Sequence, residues 1–589
     1  MYIRTKSSPN SPRKSVQIVE SVRNGKSVSQ RIVQYIGVAS DSDALDKLQL
    51  LAKQVLETIE QERKNNNPQK KLFSGSEIPC EHHLFEKPVD NDITAKISNL
   101  ENVHTVIEGP MEVAERIFNY MGYDRVFGNA ARDVGNRTLL KQLLAGILAR
   151  PSSKLSMSEW LARNCVIDIS EDRIYRFLDG LLKREERVKK IVKYNSEGMY
   201  EQRPTLMLFD VTTLYNESTE EDELRKFGFS KDNKINETQT VLALATTPEG
   251  LPLWYELFPG NTYEGDTFRK FLDTWRNEEY PGSEGVVVAD CAMFQAGGIA
   301  NLREKKLHYV VGAKLKSLSK EMKEKILSIE QYKELPGAEG TERYMVLNHG
   351  EDNIVVTYSA RRALKDAKKR ERLLTGLKKK LNKSGEIEAS SVKSKRGRNR
   401  YLKATNGQEA KSYVLDEEQI TKDAKWDGLH GVVTDLPVSK TEEIKDVLSH
   451  YHSLWRIEES FRISKSGLKI RPIYHYKKER VRAHISLIYM AYACIRHLQM
   501  RLKLTQNVDM SVDEIRKALI GVTSSLIRDK SSRVLYRFPK VLSVEASRIY
   551  KSLGLKHSTR PTEITSVLMY RARSKYLRDS QIESEPEGD

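Results

Sequence analysis

Apolar and polar positions first alternate at a spacing of two. Residues 14–37, KSVQIVESVRNGKSVSQRIVQYIG, keep that alternation on both sides of Asn24-Gly25, and a turn-forming dipeptide between two such runs specifies a hairpin. A small β-hairpin unit is expected over 1–40. The spacing then changes to three and four: DALDKLQLLAKQVLETIEQERKNNN reads as one long helix, and 41–105 as that helix and a polar, Pro-containing linker. Residues 106–200 continue the helical spacing in EVAERIFNYMG, TLLKQLLAGILAR, SMSEWLARN and DRIYRFLDGLLKREERVKKIV. Arg and Lys on the outer faces make this stretch a candidate DNA-binding helical domain.

From residue 205 the runs shorten and lose their polar interruptions. TLMLFDVTTLY (205–215), QTVLALATT (239–247), LPLWYELF (251–258), GVVVAD (285–290) and HYVVGAK (308–314) have the length and apolar density of buried strands. Thr-Pro-Glu-Gly at 247–250 turns the second into the third, and helical patterns separate the third, fourth and fifth. The expected fold class is α/β, with a mixed five-stranded sheet and flanking helices beginning at 201–317. Residues 318–440 interrupt it with further strands, RYMVLN and NIVVTYS, as a β-rich insertion; helices resume over 441–505, and 506–589 reads as a C-terminal helical region with an acidic polar tail.

Charge changes this picture. The 589 residues carry net charge +17, which points to a polyanionic partner. Between Arg361 and Lys403 there are seventeen Lys/Arg and four Asp/Glu, so +13 of the excess sits in one basic segment containing Arg396, Arg398 and Arg400. Such concentration suits phosphate contact better than a uniformly solvated surface. The four cysteines are isolated, with no C-x-x-C pair, and the start of the chain has no apolar run after its basic residues. A cytoplasmic, reducing, DNA-associated setting without membrane insertion is expected. CEHH at 80–83 lacks the second pair that a zinc site needs.

Three carboxylates stand out. Asp210 and Asp290 each close a buried strand run; such a residue caps the next turn, or, at the carboxyl end of an α/β strand, serves a site. In HYHSLWRIEESFRISK, read as one helix, Glu458 falls in the stripe of Val447, Tyr451, Leu454, Phe461 and Leu468, with Glu459 about 100° round. A carboxylate in an apolar stripe needs a partner, whether Lys465 or a metal. Two strand ends and a helix could supply three oxygen ligands to a pair of Mg²⁺ ions, with Mn²⁺ as a substitute, for phosphodiester cleavage.

LFDVTTLY around Asp210, VVVADCAM around Asp290 and YHSLWRIEESFRISK around Glu458 resemble the three motifs of DDE transposases of the IS4 superfamily, most closely its IS1634 group. PGNTYEGDTF, HYVVGAKLK and RPIYHYKKERVRAHISLIYMAYACIRH extend the resemblance over about residues 205–500, and YIRTK…RIVQYIG resembles that group's start. The resemblance implies an RNase H-like catalytic core interrupted by a β-rich insertion. Asp210, Asp290 and Glu458 would then be catalytic and metal-binding, with two Mg²⁺ per active site. It also implies cleavage at element ends, strand transfer to target DNA, and a homodimer acting on double-stranded DNA in a prokaryotic host. The family signature is Tyr, two residues, Arg, three residues, Glu, six residues, Lys; Tyr451, Glu458 and Lys465 match, whereas Leu454 stands at the Arg position. Tyr451, Lys465, Arg462 and Lys314, with the three arginines of the basic segment, are the expected DNA contacts. Thr212, Trp426 and the PGNT residues are expected to neighbour the site. Two other readings keep the same residues: a metal-dependent nuclease without strand transfer, and a catalytically inactive DNA-binding protein. A glycosidase is disfavoured by the basic excess and by only five tryptophans.

Overall fold

The computed structural model describes residues 2–8, 11–24, 27–39, isolated positions between 45 and 56, 86–88, and 95–564 except for 129, 201–204, 231, 233, 235, 277–284, 291–297, 337–341, 383, 393–396 and 406–411. The 24–25 turn at Gly25, CEHH, Arg396 and the acidic tail lie outside the described residues. Two compact units result, one from 1–145 with 519–589 and one from 146–518.

In the first unit the expected hairpin is present as β2 (Ser11–Asn24) and β3 (Ser27–Ala39), with β1 (Tyr2–Ser8) added antiparallel to β2. The described positions between 45 and 56 are helical, as the spacing predicts. Short β4 (Glu86–Pro88), β5 (Leu100–Ile107) and α1 (Gly109–Tyr120) follow. Helix α2 (Ala131–Ala149) runs across the division between the units.

The second unit begins with α3 (Lys154–Cys165), α4 (Glu171–Leu182) and α5 (Glu185–Glu197). The sequence suggested one helical domain over 106–200; these three helices instead belong to the unit that carries the large sheet. Ion pairing explains why. Lys189, fully buried on α5, pairs with Glu256 at 2.8 Å, and Glu185 accepts from Tyr255 and Arg482 at 3.0 Å each.

That sheet contains β6 (Leu206–Tyr215), β7 (Gln239–Thr246), β8 (Pro252–Pro259), β9 (Val286–Ala289) and β10 (His308–Gly312). Helices α6 (Glu264–Arg276), α7 (Gly298–Glu304) and α8 (Lys320–Leu327) lie between or after them. The five expected strands are contiguous in space, in the order β8-β7-β6-β9-β10, with β9 parallel to both β6 and β10. Among the described residues the sheet nevertheless has nine strands. β11 (Lys333–Glu334), β12 (Glu342–His349), β13 (Asp352–Ser359) and β17 (Leu429–Thr434) come from the expected insertion and continue it beyond β10 in the order β17-β13-β12-β11. Pairing with β17 satisfies the backbone edge that β10 would otherwise expose.

The basic segment separates into α9 (Ala360–Lys378) and a small sheet of β14 (Ile387–Glu388), β15 (Leu402–Ala404) and β16 (Ser412–Leu415). Leu377, Ile387, Tyr401 and Leu402 form its own core. Next come α10 (Glu417–Ala424), α11 (Thr441–His452), α12 (Trp455–Arg462), the 29-residue α13 (Lys478–Gln506) and α14 (Val512–Ile520). No helix among the described residues is long and apolar enough to cross a membrane.

The expected C-terminal helical region is corrected. Besides α15 (Val544–Leu553) it holds β18 (Thr523–Asp529), β19 (Leu535–Pro539) and β20 (Thr562–Ile564), which complete a first-unit sheet in the order β4-β20-β19-β18-β5. Glu108 links the chain's distant parts there, accepting from Arg537 at 2.6 and 2.7 Å and from Ser524 at 2.5 Å.

Candidate active site and its basic surroundings

Strand alternation sorts the large sheet into two faces. Met207, Phe209 and Val211 on β6, Val287 and Ala289 on β9, and Leu429 and Val433 on β17 share one apolar cluster. Helix α6 covers it with Phe268, Phe271, Leu272 and Trp275, a spacing of three and four that lines one helix side. The Phe209 ring lies 4.8 Å from both Phe268 and Phe271. Asp210, Thr212, Asp290 and His430 have the opposite parity, so they belong to the other face.

Register places the two aspartates together. Phe209 pairs with Ala289 across parallel β6 and β9, so Asp210 and Asp290 follow at the same level on neighbouring strand paths about 4.8 Å apart. Asp290 directly follows β9 and is exposed, whereas Asp210 lies in the middle of β6, which runs on to Tyr215, is half-buried and accepts the Val211 amide at 2.7 Å. Asp210 therefore does not close its strand, as the sequence suggested, and stands beside Asp290.

Helix α12 packs on β6 and β7, and α11 on β9, β10 and β17. This brings the helix bearing Glu458 to the strand bearing Asp210. The two glutamates are disposed opposite to expectation: Glu458 is exposed and its carboxylate makes no hydrogen bond or ion pair among the described residues, while Glu459 is half-buried. Glu459 accepts from Arg496 of α13 at 2.8 Å and Arg456 at 3.4 Å. Burial opposes ionisation of Glu459, but Arg496 and then Arg456 hold its carboxyl below the usual range. The reason is a break. α11 ends at His452 and α12 starts at Trp455, so no single helical wheel spans 447–468. Lys465 pairs with Asp232 at 3.7 Å rather than with Glu458. Among the described residues no three His, Cys, Asp or Glu side chains converge to hold a metal ion; Glu458 does not close on the two aspartates.

The other expected contacts scatter. The Tyr451 ring lies 5.0 Å from the ring of His430. Lys314 lies two residues past the Gly312–Val432 pair that ends β10 and opens the 3-10 turn Leu315–Ser317. Arg462 is exposed, 3.7 Å from Glu459. Arg400 is held by Asp423 at 3.1 Å and lies over the Tyr401 ring, and Arg398 is exposed beside α9. Trp426 packs against the apolar cluster of the opposite face, with Lys316 over its ring, so it does not neighbour the aspartates. Gly260 of PGNT is required sterically, since a Cβ would meet the Gln239 carbonyl oxygen at 2.1 Å.

Sequence reading missed His430 and Arg362. Burial pushes the His430 imidazole down to about 4, with Arg362 lowering it further and Asp290 opposing. Both charges are thus within electrostatic reach of a neutral imidazole on the aspartate face. LHGVVT shows which residues alternate with the core, but not that this strand enters the sheet beside β10.

Residues 201–494 match the family model described as Transposase DDE domain, and residues 3–68 match that of the IS1634 family transposase, N-terminal domain. Among solved structures, the chain is similar to a piggyBac transposase synaptic complex with hairpin DNA at 10% identity and TM-score 0.35, covering 86% of this chain and 88% of that chain. It is also similar to a Mos1 transposase paired-end complex with left transposon end at 12% identity and TM-score 0.13, covering 30% and 57%. No curated protein matches the chain.

Proposed function

Because this chain belongs to the IS1634 group of DDE transposases, we propose that it cuts DNA at the ends of an insertion sequence and joins the freed ends to target DNA. The observation that carries the chemistry is the level placement of Asp210 and Asp290 on adjacent parallel strands. Three antiparallel strands followed by two parallel ones, in the order β8-β7-β6-β9-β10, support an RNase H-like core.

The carboxylate oxygens suit hard divalent cations: with Glu458 brought to the two aspartates, Asp210, Asp290 and Glu458 would hold two Mg²⁺, or Mn²⁺ in their place. When bound, such ions supply charge stabilisation at the phosphate and a more acidic attacking water or hydroxyl. Water displaces one strand at the element end and leaves a 3′-hydroxyl; that hydroxyl then displaces a 3′-oxygen in the target. Glu459 positions α12 through Arg496, leaving Glu458 available. Lys365, Lys368, Lys369 and Arg372, exposed on α9, hold DNA by phosphate contacts that carry no sequence information. The homodimer on paired ends stands on the family alone.

The test is cleavage and joining of a duplex carrying the element's end in Mg²⁺ and Mn²⁺. Asp210→Asn, Asp290→Asn and Glu458→Gln should each lower nicking by at least about 10³-fold while duplex binding survives. A Glu458→Gln protein that cuts like wild type would remove the third ligand. Cutting without joining of pre-nicked ends would leave the nuclease reading.

A further inference from the structure

Ser153 caps α3 by accepting the Ser156 amide at 3.3 Å, and Lys154 is the first residue of the helix. The Lys154 side chain is only 6% exposed, yet among the described residues its ammonium has no hydrogen bond or ion pair. Burial pulls it down to about 8, and no carboxylate opposes that shift; the group stays largely charged at neutral pH. A buried ammonium without a counter-charge is unfavourable, and the amino end of a helix adds positive potential rather than relief.

Lys154 lines a cavity of about 880 Å³. Two acids share its wall, but neither is committed to Lys154. Asp232 pairs with Arg471 and Lys465, and Glu171 is hydrogen-bonded to the Tyr175 hydroxyl. Lys234 and Lys469 add further positive charge.

The wall also asks for a donor. His484 is 8% exposed; its Nε2 is 3.2 Å from the Ile470 carbonyl oxygen, whereas its Nδ1 is buried with no partner among the described residues. Burial, followed by the Lys154 charge, keeps this imidazole neutral, so Nε2–H donates to Ile470 and Nδ1 is an unused acceptor. An inorganic anion would answer Lys154 but would leave most of the volume empty. Tyr474, 56% exposed, offers a ring at the rim.

We propose that this cavity binds one unpaired nucleotide, its phosphate seated at Lys154 at the amino end of α3 and its sugar or base donating to His484 Nδ1. Aromatic rings accept any base by stacking, which suits Tyr474. A duplex is too wide to enter, so the occupant is either an unpaired nucleotide of a bound DNA strand or a free nucleotide. None of Asp210, Asp290 or Glu458 lines the cavity, and binding here stands or falls separately from cleavage.

The test is isothermal titration of the full-length protein with a deoxynucleoside 5′-monophosphate and with inorganic phosphate, without divalent metal. Wild type should bind the monophosphate, Lys154→Met should bind it at least tenfold more weakly, and inorganic phosphate should bind more weakly still. Tyr474→Ala, at an exposed position, should lose several-fold for the monophosphate and little for phosphate; it serves if Lys154→Met does not fold. Displacement of the monophosphate by a duplex with one unpaired nucleotide, but not by the fully paired duplex, identifies the DNA strand as the source. Failure of both duplexes to displace it identifies a free nucleotide. Absence of monophosphate binding to wild type, or binding unchanged in both variants, would overturn the proposal.

Discussion

At Glu459 the carboxylate faces Arg496, which is buried on α13 with 6% of its side chain exposed. Removing the carboxylate would strand that guanidinium, so Glu459→Ala should cost about 2 kcal/mol in chemical denaturation, less than a fully buried pair because Glu459 is partly exposed. Glu458→Gln should change stability by less than about 0.5 kcal/mol, since among the described residues its side chain has no partner to lose. Stability and cleavage thus separate adjacent residues. The imidazoles make a further prediction. Burial pushes His430 and His475 down to about 4 and His497 to about 3, against about 6.5 in an unfolded chain. The fold favours the neutral rings, so their contribution is complete above pH 6.5 and is lost as pH falls towards 4. The melting temperature should drop across that window, and His430→Gln should remove part of the drop, on the order of 2 kcal/mol. A flat profile from pH 6.5 to 4 would contradict the burial of these rings.

At the scale of elements, the break between α11 and α12 governs the site. A continuous helix would have turned Glu458 inward; two missing helical residues reset the phase, and the π-helical turn Ile463–Gly467 resets it again before Leu468. Helix α9 is solvent-facing along most of its length, with Lys365, Lys368, Lys369 and Arg372 among its exposed cations, while Arg370 is committed to Asp427 through two hydrogen bonds of 2.5 and 2.6 Å. Replacing those four exposed cations by Gln should leave the melting temperature unchanged. It should weaken duplex binding and reduce the slope of log affinity against log salt by about one for each phosphate no longer neutralised. An unchanged slope would mean that DNA does not follow α9. Arg370→Gln should instead cost stability, because it leaves Asp427 uncompensated.

For the whole molecule, the division at Ala145 and Gly146 decides what folds with the large sheet. Helices α4 and α5 pack on α13, and α5 also on β8. A fragment beginning at residue 201 would bare those faces and leave Glu185's and Lys189's partners alone. It should lack a cooperative melt, whereas a fragment of residues 146–518 should keep one; circular dichroism on both decides. The family match starting at residue 201 therefore does not mark the folding boundary.

The amino-acid sequence by itself determined the local and periodic features. Apolar runs ending in Asp210 and Asp290, the hairpin pairing of β2 with β3 and the concentration of cations after Arg361 all follow from residue spacing, and so were legible. It also placed Glu458 on a helix, but from a false wheel, because a two-residue interruption leaves little trace in hydrophobic periodicity. Only tertiary structure decided that strands from 333–359 and 429–434 extend the sheet past β10, and that 100–107 pairs with 523–529. Pairing between distant segments is chosen by which backbone edges and apolar faces remain uncovered, a property of the assembled sheet that no local window of sequence carries. The same holds for the ammonium of Lys154, unpartnered among the described residues and an unremarkable lysine until α3, α13 and the segment after α12 enclose it.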